Sequence, residues 1–291
     1  MEQIYKKAKA KINLSLNVLE KREGHYHNIE SIMQILYFYD ELWIKKTSKD
    51  GISIKCNNQE IKEEENIIYK AYWLLRKKYQ IGGVKVKLIK KIPTQAGLGG
   101  GSADAAAFMK GMNKLFSLGI SKSELEALGI ELGSDVPTVL HQGCILVKRK
   151  GEELERIHTN LKYYIILIKP DISFSTKEMY QKIDLKGKNM AQKFVSQELR
   201  QALEKGDLEL ACNYLYNVFE DVSYHNTIET IKKDLENQGA FANQMTGSGS
   251  CVFGIFKEKE QAKNAYYKLK AKYKKCYFTI PNYEKRKERG K

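Results

Sequence analysis

Cysteine is scarce in this sequence, and the spacing of the cysteines does not suggest that any two of them are paired. The five are odd in number and widely separated, with no C-x-x-C pair: Cys56, Cys144, Cys212, Cys251 and Cys276. This distribution argues against a disulfide framework and against a zinc knuckle, and it favours a reducing compartment.

Long apolar runs are absent as well. The longest purely apolar run, residues 163–168, is far too short to span a bilayer. The first seven residues do not contain the apolar region of a signal peptide. The chain also has no internal repeat and no low-complexity linker. We therefore expect a cytoplasmic protein that does not associate with a membrane.

Composition and charge describe an ordinary globular protein. The 291 residues are enough for one large or two ordinary domains, with 42% hydrophobic and 29% charged residues. The net charge of +15 suggests anionic partners such as nucleotides, diphosphates or nucleic acid. The lysines are scattered, however, and a lysine-rich surface also serves solubility. Charge alone therefore does not identify the partner.

A glycine-rich turn between a strand and a helix is the strongest local signal. Residues 84–92 have the composition of a strand, and an alanine-rich helix is expected over 102–116. The turn between them contains these residues: Gly97, Leu98, Gly99, Gly100, Gly101 and Ser102. Glycines let backbone N–H groups approach a ligand closely, and a helix start adds unpaired N–H groups and a positive dipole end. The pattern predicts a site for nucleotide phosphates, with a flexible turn before a helix as the alternative.

Two well-known phosphate-binding patterns do not fit this turn. A P-loop needs a lysine after its last glycine, but Gly101 is followed by Ser102 and Ala103. The dinucleotide fingerprint needs a third glycine at the position that Ser102 occupies. Any phosphate bound here would depend on the backbone and the helix dipole.

Lys11, Asn13 and Asp135 are ambiguous when their own stretches are considered alone. The alternation over 8–18 predicts a half-buried strand, on which Lys11 and Asn13 share one face. A solvated strand face is the simpler interpretation of that pair. Asp135, between Gly133-Ser134 and Val136-Pro137, is by default a turn or N-cap aspartate. A functional role for Asp135 requires that it face the glycine-rich turn.

A turn with aromatic and imidazole rings follows the first strand. His25, Tyr26 and His27 lie together, but no carboxylate or cysteine cluster completes a metal site around the two histidines. A loop that presents rings for stacking on a base is better supported.

The remaining pattern predicts an alternation of strands and helices. Strands are expected at 29–39, 42–46, 52–56, 141–148, 163–169, 241–245, 251–256 and 277–280, and helices at 66–79, 177–183, 190–205, 207–219, 226–237 and 259–273. Ser121 and Glu124 form a predicted capping box that starts a further helix ending near Gly133. We place a domain boundary near Glu155, which gives residues 1–155 and 156–283 and a charged tail, 284–291, expected to fray.

Three stretches in this order resemble the kinase superfamily named for galactokinase, homoserine kinase, mevalonate kinase and phosphomevalonate kinase. They are residues 10–14, 93–106 and 245–253. Within it, the family of 4-diphosphocytidyl-2-C-methylerythritol kinases is similar to this chain at residues 11–14, 26–27, 31–34, 133–137 and 175–180. The chain departs from that family at Gly24-His25, where Asp-Gly is usual, and at 148–152, where Gly-Arg-Gly-Glu is usual.

The resemblance implies an α+β, two-domain fold with the active site in the cleft between the lobes. The N-terminal lobe would have a fold found in a ribosomal protein, and the C-terminal lobe would be ferredoxin-like. The implied reaction moves the γ-phosphoryl group of ATP to the 2-hydroxyl of 4-diphosphocytidyl-2-C-methylerythritol in the non-mevalonate pathway of isoprenoid (terpenoid) synthesis. The alternatives are another kinase of the superfamily, of homoserine or mevalonate type, and a basic nucleic-acid-binding protein. We expect no nucleic acid partner, and no oligomeric state is predicted.

The resemblance also assigns roles to individual residues. Asp135 would take the proton of the hydroxyl group, and Lys11 beside it would keep the carboxylate ionised and stabilise charge on the phosphoryl group. The ATP phosphates would be held by Pro93, Gly97, Leu98, Gly99, Gly100, Gly101 and Ser102. Mg²⁺ is expected with the nucleotide, with Ser102 as a possible ligand.

The substrate would contact a second set of residues by the same resemblance: Asn13, Tyr26, His27, Thr176, Tyr180, Gly247, Ser248 and Gly249. Tyr26 and Tyr180 would stack on the cytosine ring, and His27 would contact the edge of the base. Ordinary packing of the two tyrosines, and structural support by the turn at 247–249, are the alternatives.

Overall fold

The structure, a computed structural model, describes residues 2–21, 27–186 and 195–283. Tyr26, the first part of the helix expected at 190–205 and the charged tail at 284–291 lie outside these ranges. No helix of the described part is long and apolar enough to cross a membrane.

The described residues form two β-sheets and a set of helices packed on them. The strands are β1 Gln3–Lys21, β2 His27–Thr47, β3 Ile52–Cys56, β4 Gly83–Ile89, β5 Cys144–Arg149, β6 Glu153–Ile157, β7 Tyr164–Ile168, β8 Tyr216–Asn217, β9 Ala242–Met245, β10 Val252–Phe256 and β11 Cys276–Thr279. The helices are α1 Ile67–Lys78, α2 Gly100–Leu115, α3 Lys122–Leu132, α4 Val136–Val139, α5 Thr176–Lys186, α6 Ser196–Lys205, α7 Leu208–Asn213, α8 Val218–Val222, α9 Asn226–Asn237 and α10 Lys259–Lys272.

The larger sheet is organised around the long antiparallel pair of β1 and β2. It has the order β3-β4-β2-β1-β8, and β5 pairs with the first half of β2 and with β6. The register of β1 against β2 shifts between Lys9 and Lys11 and again between Asn13 and Ser15. Such irregularities change the direction of side chains and often lie next to active sites. These two flank the positions of Lys11 and Asn13.

Helices α1 to α4 cover one face of this sheet. The apolar side of α1 buries Ile68, Ala71, Tyr72 and Leu75, and α2 is buried along most of its length. Alanines at 103, 105, 106 and 107 allow α2 to lie close to its neighbours. The predicted capping box at the start of α3 is confirmed, since Ser121 accepts from the Glu124 N–H and the Glu124 carboxylate accepts from the Ser121 N–H.

The smaller sheet is fully antiparallel, in the order β11-β7-β10-β9. Helices α9 and α10 bury apolar side chains such as Ile231 and Leu269 in the core that includes this sheet. A third apolar cluster, with Ile12 from β1 and Phe253 from β10, joins the two sheets. The expected α+β architecture is confirmed. The expected boundary at residue 155 falls inside β6 and stays a prediction.

Two of the expected elements take a different form, and β6 and α4 were not expected from the sequence. The strands expected at 29–39 and 42–46 are one strand, β2, which continues through a fully buried Asp40. The helix expected at 207–219 is divided into α7, β8 and α8. At the division, the Asn217 amide donates to the carbonyls of Met245 and Gly247 and accepts from the Phe219 N–H. These distant partners override the local helical pattern.

Candidate active site

Lys11 and Asp135 meet in a cleft of the structure. Lys11 is 4% exposed, and its Nζ lies 3.4 Å from Asp135 Oδ2 and donates to Asn13 Oδ1 at 2.8 Å. The interpretation of Lys11 and Asn13 as a solvated strand face is therefore wrong. Asp135 occupies the N-cap position of α4 but makes no capping hydrogen bond with its side chain. Its side chain is 27% exposed, so the carboxylate is paired on one side and open on the other.

The glycine-rich turn packs directly on this pair. Gly97 and Gly99 have φ angles of 71° and 66°, a region that favours glycine. A Cβ on Gly99 would lie 3.1 Å from Lys11 Cγ and 3.6 Å from Asp135 Oδ2. The Lys11 N–H donates to the Leu98 carbonyl at 3.0 Å, which attaches the turn to the edge of β1. The backbone of the turn thus lies against both side chains.

The start of α2 supplies the features of an anion site. Gly99 is the N-cap, and no side chain caps the first N–H groups of the helix, which begins at Gly100. Uncapped N–H groups and the positive end of the dipole favour a bound anion. This geometry is that of an anion site, and the binding of nucleotide phosphates here stays a prediction.

A second glycine turn lies opposite the first. A Cβ on Gly97 would lie 1.9 Å from the Thr246 carbonyl oxygen, so the two turns touch through their backbones. The Thr246 hydroxyl accepts from the Asn13 N–H at 3.0 Å, and the Ser248 hydroxyl lies 2.9 Å from that of Thr176. The edge of β1 therefore binds one glycine turn through Lys11 and the other through Asn13.

A cavity of about 510 Å³ opens where these parts meet. Ten of the residues singled out from the sequence line it: Lys11, Asn13, Gly97, Gly99, Asp135, Thr176, Tyr180, Gly247, Ser248 and Gly249. Pro93, Leu98, Gly100, Gly101 and Ser102 are not among its lining residues, and Leu98 is buried in the apolar core. The structure thus brings most of the predicted set to one place, and their roles stay predictions.

A larger neighbouring cavity, of about 850 Å³, shares Ser134, Thr176 and Tyr180 with the first. His27 lines it and stacks on Tyr180, with ring centroids 5.0 Å apart and planes at 17°. The His27 Nε2 lies 2.7 Å from Asp184 Oδ1. Burial, together with the Asp135 carboxylate, raises the pKa of Tyr180 to about 12, so its phenol is neutral at physiological pH. The predicted stacking of Tyr180 on a base is not tested by this contact between two protein rings.

The sequence did not reveal a buried ionic cluster beneath the first glycine turn. Lys90 Nζ donates to Asp40 Oδ2 at 2.5 Å and to Asp104 Oδ2 at 2.7 Å. Burial raises the pKa of Asp104 to about 8, since the attraction of Lys90 does not offset lost hydration and the repulsion from Asp40. Burial opposes the charge of Lys90, but Asp104 and Asp40 outweigh it and raise the Lys90 pKa. Only the nearness of Lys90 and Asp104 to the turn along the chain could have indicated them.

No metal cluster is present among the described residues: no group of three or more histidine, cysteine, aspartate or glutamate side chains could hold an ion. Mg²⁺ bound with a nucleotide needs few protein ligands, because phosphate oxygens and waters supply most of them. The Ser102 hydroxyl lies near Gly133, at 3.8 Å from an ideal Cβ position there, two residues before Asp135. Ser102 at the start of α2 and Asp135 carry oxygen atoms of the kind that Mg²⁺ prefers, and the role of Ser102 as a ligand stays a prediction.

Comparison with known proteins identifies the class of kinase to which this chain is similar. The chain matches the GHMP kinases N terminal domain over residues 66–143 and the GHMP kinases C terminal model over residues 199–275. A crystal structure of 4-(cytidine 5'-diphospho)-2C-methyl-D-erythritol kinase superposes with a TM-score of 0.81 at 24% identity, covering 97% of this chain and 100% of that one. Homoserine kinase from Cytophaga hutchinsonii gives a TM-score of 0.76 at 18% identity, covering 97% and 96%. The fold is that of a GHMP kinase.

Relatives with higher sequence identity show which family of GHMP kinases includes this chain. The 4-diphosphocytidyl-2-C-methyl-D-erythritol kinase of Clostridium botulinum (strain Eklund 17B / Type B) is 38% identical over 94% of this chain and 98% of its own length. The enzyme of the same name from Caldanaerobacter subterraneus subsp. tengcongensis is 41% identical over 92% and 93%. The chain belongs to the 4-diphosphocytidyl-2-C-methyl-D-erythritol kinase family.

Proposed function

We propose that this kinase transfers the γ-phosphoryl group of ATP to the 2-hydroxyl of 4-diphosphocytidyl-2-C-methyl-D-erythritol, producing the 2-phosphate and ADP in the non-mevalonate route to isoprenoids. The observation that carries the proposal is the Lys11–Asp135 pair, with 3.4 Å between Nζ and Oδ2, at a cavity walled by two glycine turns. Membership of the family supports the identity of the substrate.

Asp135 acts as the base in this proposal. An alcohol is a poor nucleophile, so its proton must leave as the oxygen approaches phosphorus. The open side of the Asp135 carboxylate faces the cavity, where a hydroxyl group can donate to it. The Lys11 ammonium holds the carboxylate from the other side and lies where it can stabilise negative charge on the transferring group. A positioned base contributes about 10²–10⁴-fold to such a rate.

The first glycine turn and the start of α2 bind the ATP phosphates. Gly97 and Gly99 line the cavity, and the uncapped helix start beside them favours the negative charge. Ser102 would be the protein ligand of a Mg²⁺ ion bound with the nucleotide, and such an ion would supply positive charge to the phosphates. The proposed lining therefore supplies N–H donors on one side of the phosphates and Lys11 on the other.

The cytidine diphosphate end of the substrate occupies the larger cavity. Tyr180, with its ring partner His27, stands at the junction with the smaller one. The base would stack on Tyr180 beside or in place of His27, and Tyr26 would complete the stack. Kinases of the homoserine or mevalonate type act on small acceptors that need no aromatic site. The ring pair thus favours the cytidyl substrate over that alternative.

The location and the division of the chain are proposed on narrower grounds. All five cysteines are free, which supports a reducing compartment and hence the cytoplasm. Residues 1–155 and 156–283 are proposed as the two domains, and small anionic molecules rather than nucleic acid as the partners.

The direct test is a kinase assay of the pure protein with ATP and Mg²⁺ against a panel of alcohols. We expect ADP release with the cytidyl alcohol and none above background with homoserine or mevalonate. Turnover of homoserine or mevalonate, and not of the cytidyl alcohol, would establish the alternative.

Tyr180→Ala tests the aromatic site separately. Loss of base stacking costs about 1–3 kcal/mol, so KM for the cytidyl alcohol should rise roughly tenfold while KM for ATP stays within twofold. An unchanged KM for the cytidyl alcohol would remove Tyr180 from base recognition.

A further inference from the structure

The cluster of Asp40, Lys90 and Asp104 joins the two ends of the first glycine turn. Lys90 directly follows β4 and precedes the turn, whereas Asp104 lies in the first part of α2, after the turn. The Lys90 side chain connects the two ends of the turn, because its Nζ lies 2.7 Å from Asp104 Oδ2. The segment from 90 to 104, which contains every glycine of the turn, is therefore closed at its base by an ion pair.

Asp40 attaches this closure to the sheet. Its Oδ2 accepts from Lys90 Nζ at 2.5 Å, and its Oδ1 accepts from the N–H groups of Lys91 and Ile92 at 2.5 and 2.7 Å. Asp40 is fully buried in β2. A carboxylate with three donors around it resists displacement, because each donor lost leaves a buried charge less compensated. The entry to the glycine turn is thus fixed to the centre of the larger sheet.

The ammonium of Lys90 also lies against the phosphate-binding backbone itself. A Cβ on Gly100, the first residue of α2, would lie 3.4 Å from Lys90 Nζ. A movement of the Lys90 ammonium would therefore displace the first residue of α2. It would also displace the N–H groups that face the phosphates in the proposed complex.

The cluster costs stability at the same time. Two acidic side chains share one ammonium away from water, the pKa of Asp104 is raised for that reason, and Asp104 Oδ1 is buried with no hydrogen-bond partner. Such groups are unfavourable in a protein interior unless fully compensated. A leucine at 104 is larger than aspartate but apolar, so it would remove the unpartnered oxygen and leave Lys90 paired with Asp40 alone. An arrangement less stable than a simple alternative, placed at a binding loop, points to a functional role.

We propose that Asp104, acting through Lys90 and Asp40, is a positioning residue for the ATP-binding turn. This inference rests on the proposed use of that turn to bind ATP. Asp104 holds Lys90 at the start of α2, and the pair sets where the backbone N–H groups lie relative to Lys11 and Asp135. Asp104 itself does not touch the nucleotide.

Asp104→Leu is the variant that tests the proposal. Binding of a non-hydrolysable ATP analogue with Mg²⁺ is measured by calorimetry, so that the readout does not depend on which alcohol is phosphorylated. We expect Kd for the analogue to rise about tenfold and the midpoint of thermal unfolding to stay unchanged or rise. KM for the cytidyl alcohol should stay within twofold. Amide exchange over residues 93–102 should become faster.

Asp104→Asn is the conservative partner, since its amide oxygen still accepts from Lys90. It should restore analogue binding to within about threefold of the wild type. The matched control is Asp234→Asn, because Asp234 also accepts from two donors, Lys272 and Tyr273, but lines neither cavity. This control should leave analogue binding unchanged.

Two results would overturn the proposal. One is analogue binding by Asp104→Leu within twofold of the wild type. The other is equal weakening of analogue and cytidyl-alcohol binding together with a lower unfolding midpoint, which would show a general structural role. If the leucine variant does not fold, Asp104→Ala is measured by the same criteria. Failure of the cytidyl kinase assay with intact analogue binding would reject the substrate and leave this test valid.

Discussion

Two lysine–carboxylate groups lie on either side of one glycine turn, and they differ in how water reaches them. Lys11 faces a single carboxylate, Asp135, whose side chain is 27% exposed at a cavity. Lys90 faces two carboxylates, Asp40 and Asp104, and all three side chains are at most 7% exposed. The first group can receive a proton from a bound alcohol, because one side of the carboxylate is open. The second has no access to a substrate and can only hold the chain in place. In our proposals, the same ion-pair chemistry thus serves reaction in one place and position in the other.

Among the substitutions that test this difference between the two groups, Asp135→Asn should have the largest effect. The amide cannot accept the proton, so kcat should fall by about 10³-fold or more while ATP affinity stays nearly unchanged. Steady-state kinetics and nucleotide titration measure the two quantities. Near-normal turnover in this variant would remove Asp135 from the role of base.

Stability should separate the two lysines. Lys90→Met leaves the buried Asp40 carboxylate without its cation, beside an Asp104 side chain whose pKa is already raised, and should lower the free energy of unfolding by about 3–5 kcal/mol. Lys11→Met leaves Asp135 in contact with water and should change it by about 1 kcal/mol or less, while kcat falls. Urea titration of both variants gives the difference. Equal losses of stability would mean that exposure of the carboxylate does not distinguish the two groups.

The glycine turn between the two groups offers a matched pair of substitutions. At Gly97 a Cβ would lie 1.9 Å from the Thr246 carbonyl oxygen, and φ is 71°, so Gly97→Ala forces the two turns apart. At Gly101 the nearest atom to a Cβ is 3.9 Å away. We expect Gly97→Ala to lose about 2 kcal/mol or more and Gly101→Ala to change stability by about 0.5–1 kcal/mol, in the stabilising direction. Thermal unfolding of both variants provides the measurement, and similar losses would show that the contact between the turns is not tight.

A third lysine, Lys110, extends the comparison to an ammonium that donates to a backbone carbonyl rather than to a carboxylate. Lys110 donates to the Leu140 carbonyl, and burial together with the nearby Lys6, Lys122 and Lys9 lowers its pKa to about 8 from 10.5. The unfolded chain binds this proton more tightly, so the cost of burying Lys110 is fully present below pH 8 and disappears as the pH rises towards 10.5.

Lys110→Met should therefore be more stable than the wild type at pH 7, by roughly 1–2 kcal/mol after loss of the hydrogen bond. The advantage should shrink between pH 8 and pH 10. Urea titrations across this range measure it, with Lys78→Met as the exposed control, because the Lys78 side chain is 47% exposed. A difference that does not change with pH would mean that Lys110 is not buried as a cation.

Much of the local structure followed from residue patterns. The strand, glycine turn and helix around Gly97–Ser102, the capping box at Ser121 and the helix at 226–237 depend on neighbours along the chain, and each was found as expected. The pattern failed at Asp40, where two acidic residues, Asp40 and Glu41, separated the strands expected at 29–39 and 42–46. Lys90 and two N–H groups from beyond β4 satisfy Asp40 inside a continuous strand. No local pattern contains those partners.

The residues of the candidate site can also be divided into those predicted from local patterns and those brought together only by the tertiary structure. Glycines before a helix indicated an anion site by themselves, because backbone geometry and the helix dipole are local properties. Lys11 and Asp135 looked like a surface lysine and a capping aspartate when their own stretches were considered, and only the family resemblance assigned them roles. Their meeting depends on the shifted register of β1 and on two glycine turns docked on its edge.

The sequence by itself therefore determined where the chain turns, where helices begin and which backbone can approach a phosphate. Tertiary structure alone decided which charged side chains are buried, which carboxylate keeps an open side and which lysine shares two acids. The reason is that dehydration of a charge depends on everything packed around it, and most of those groups lie far away along the chain.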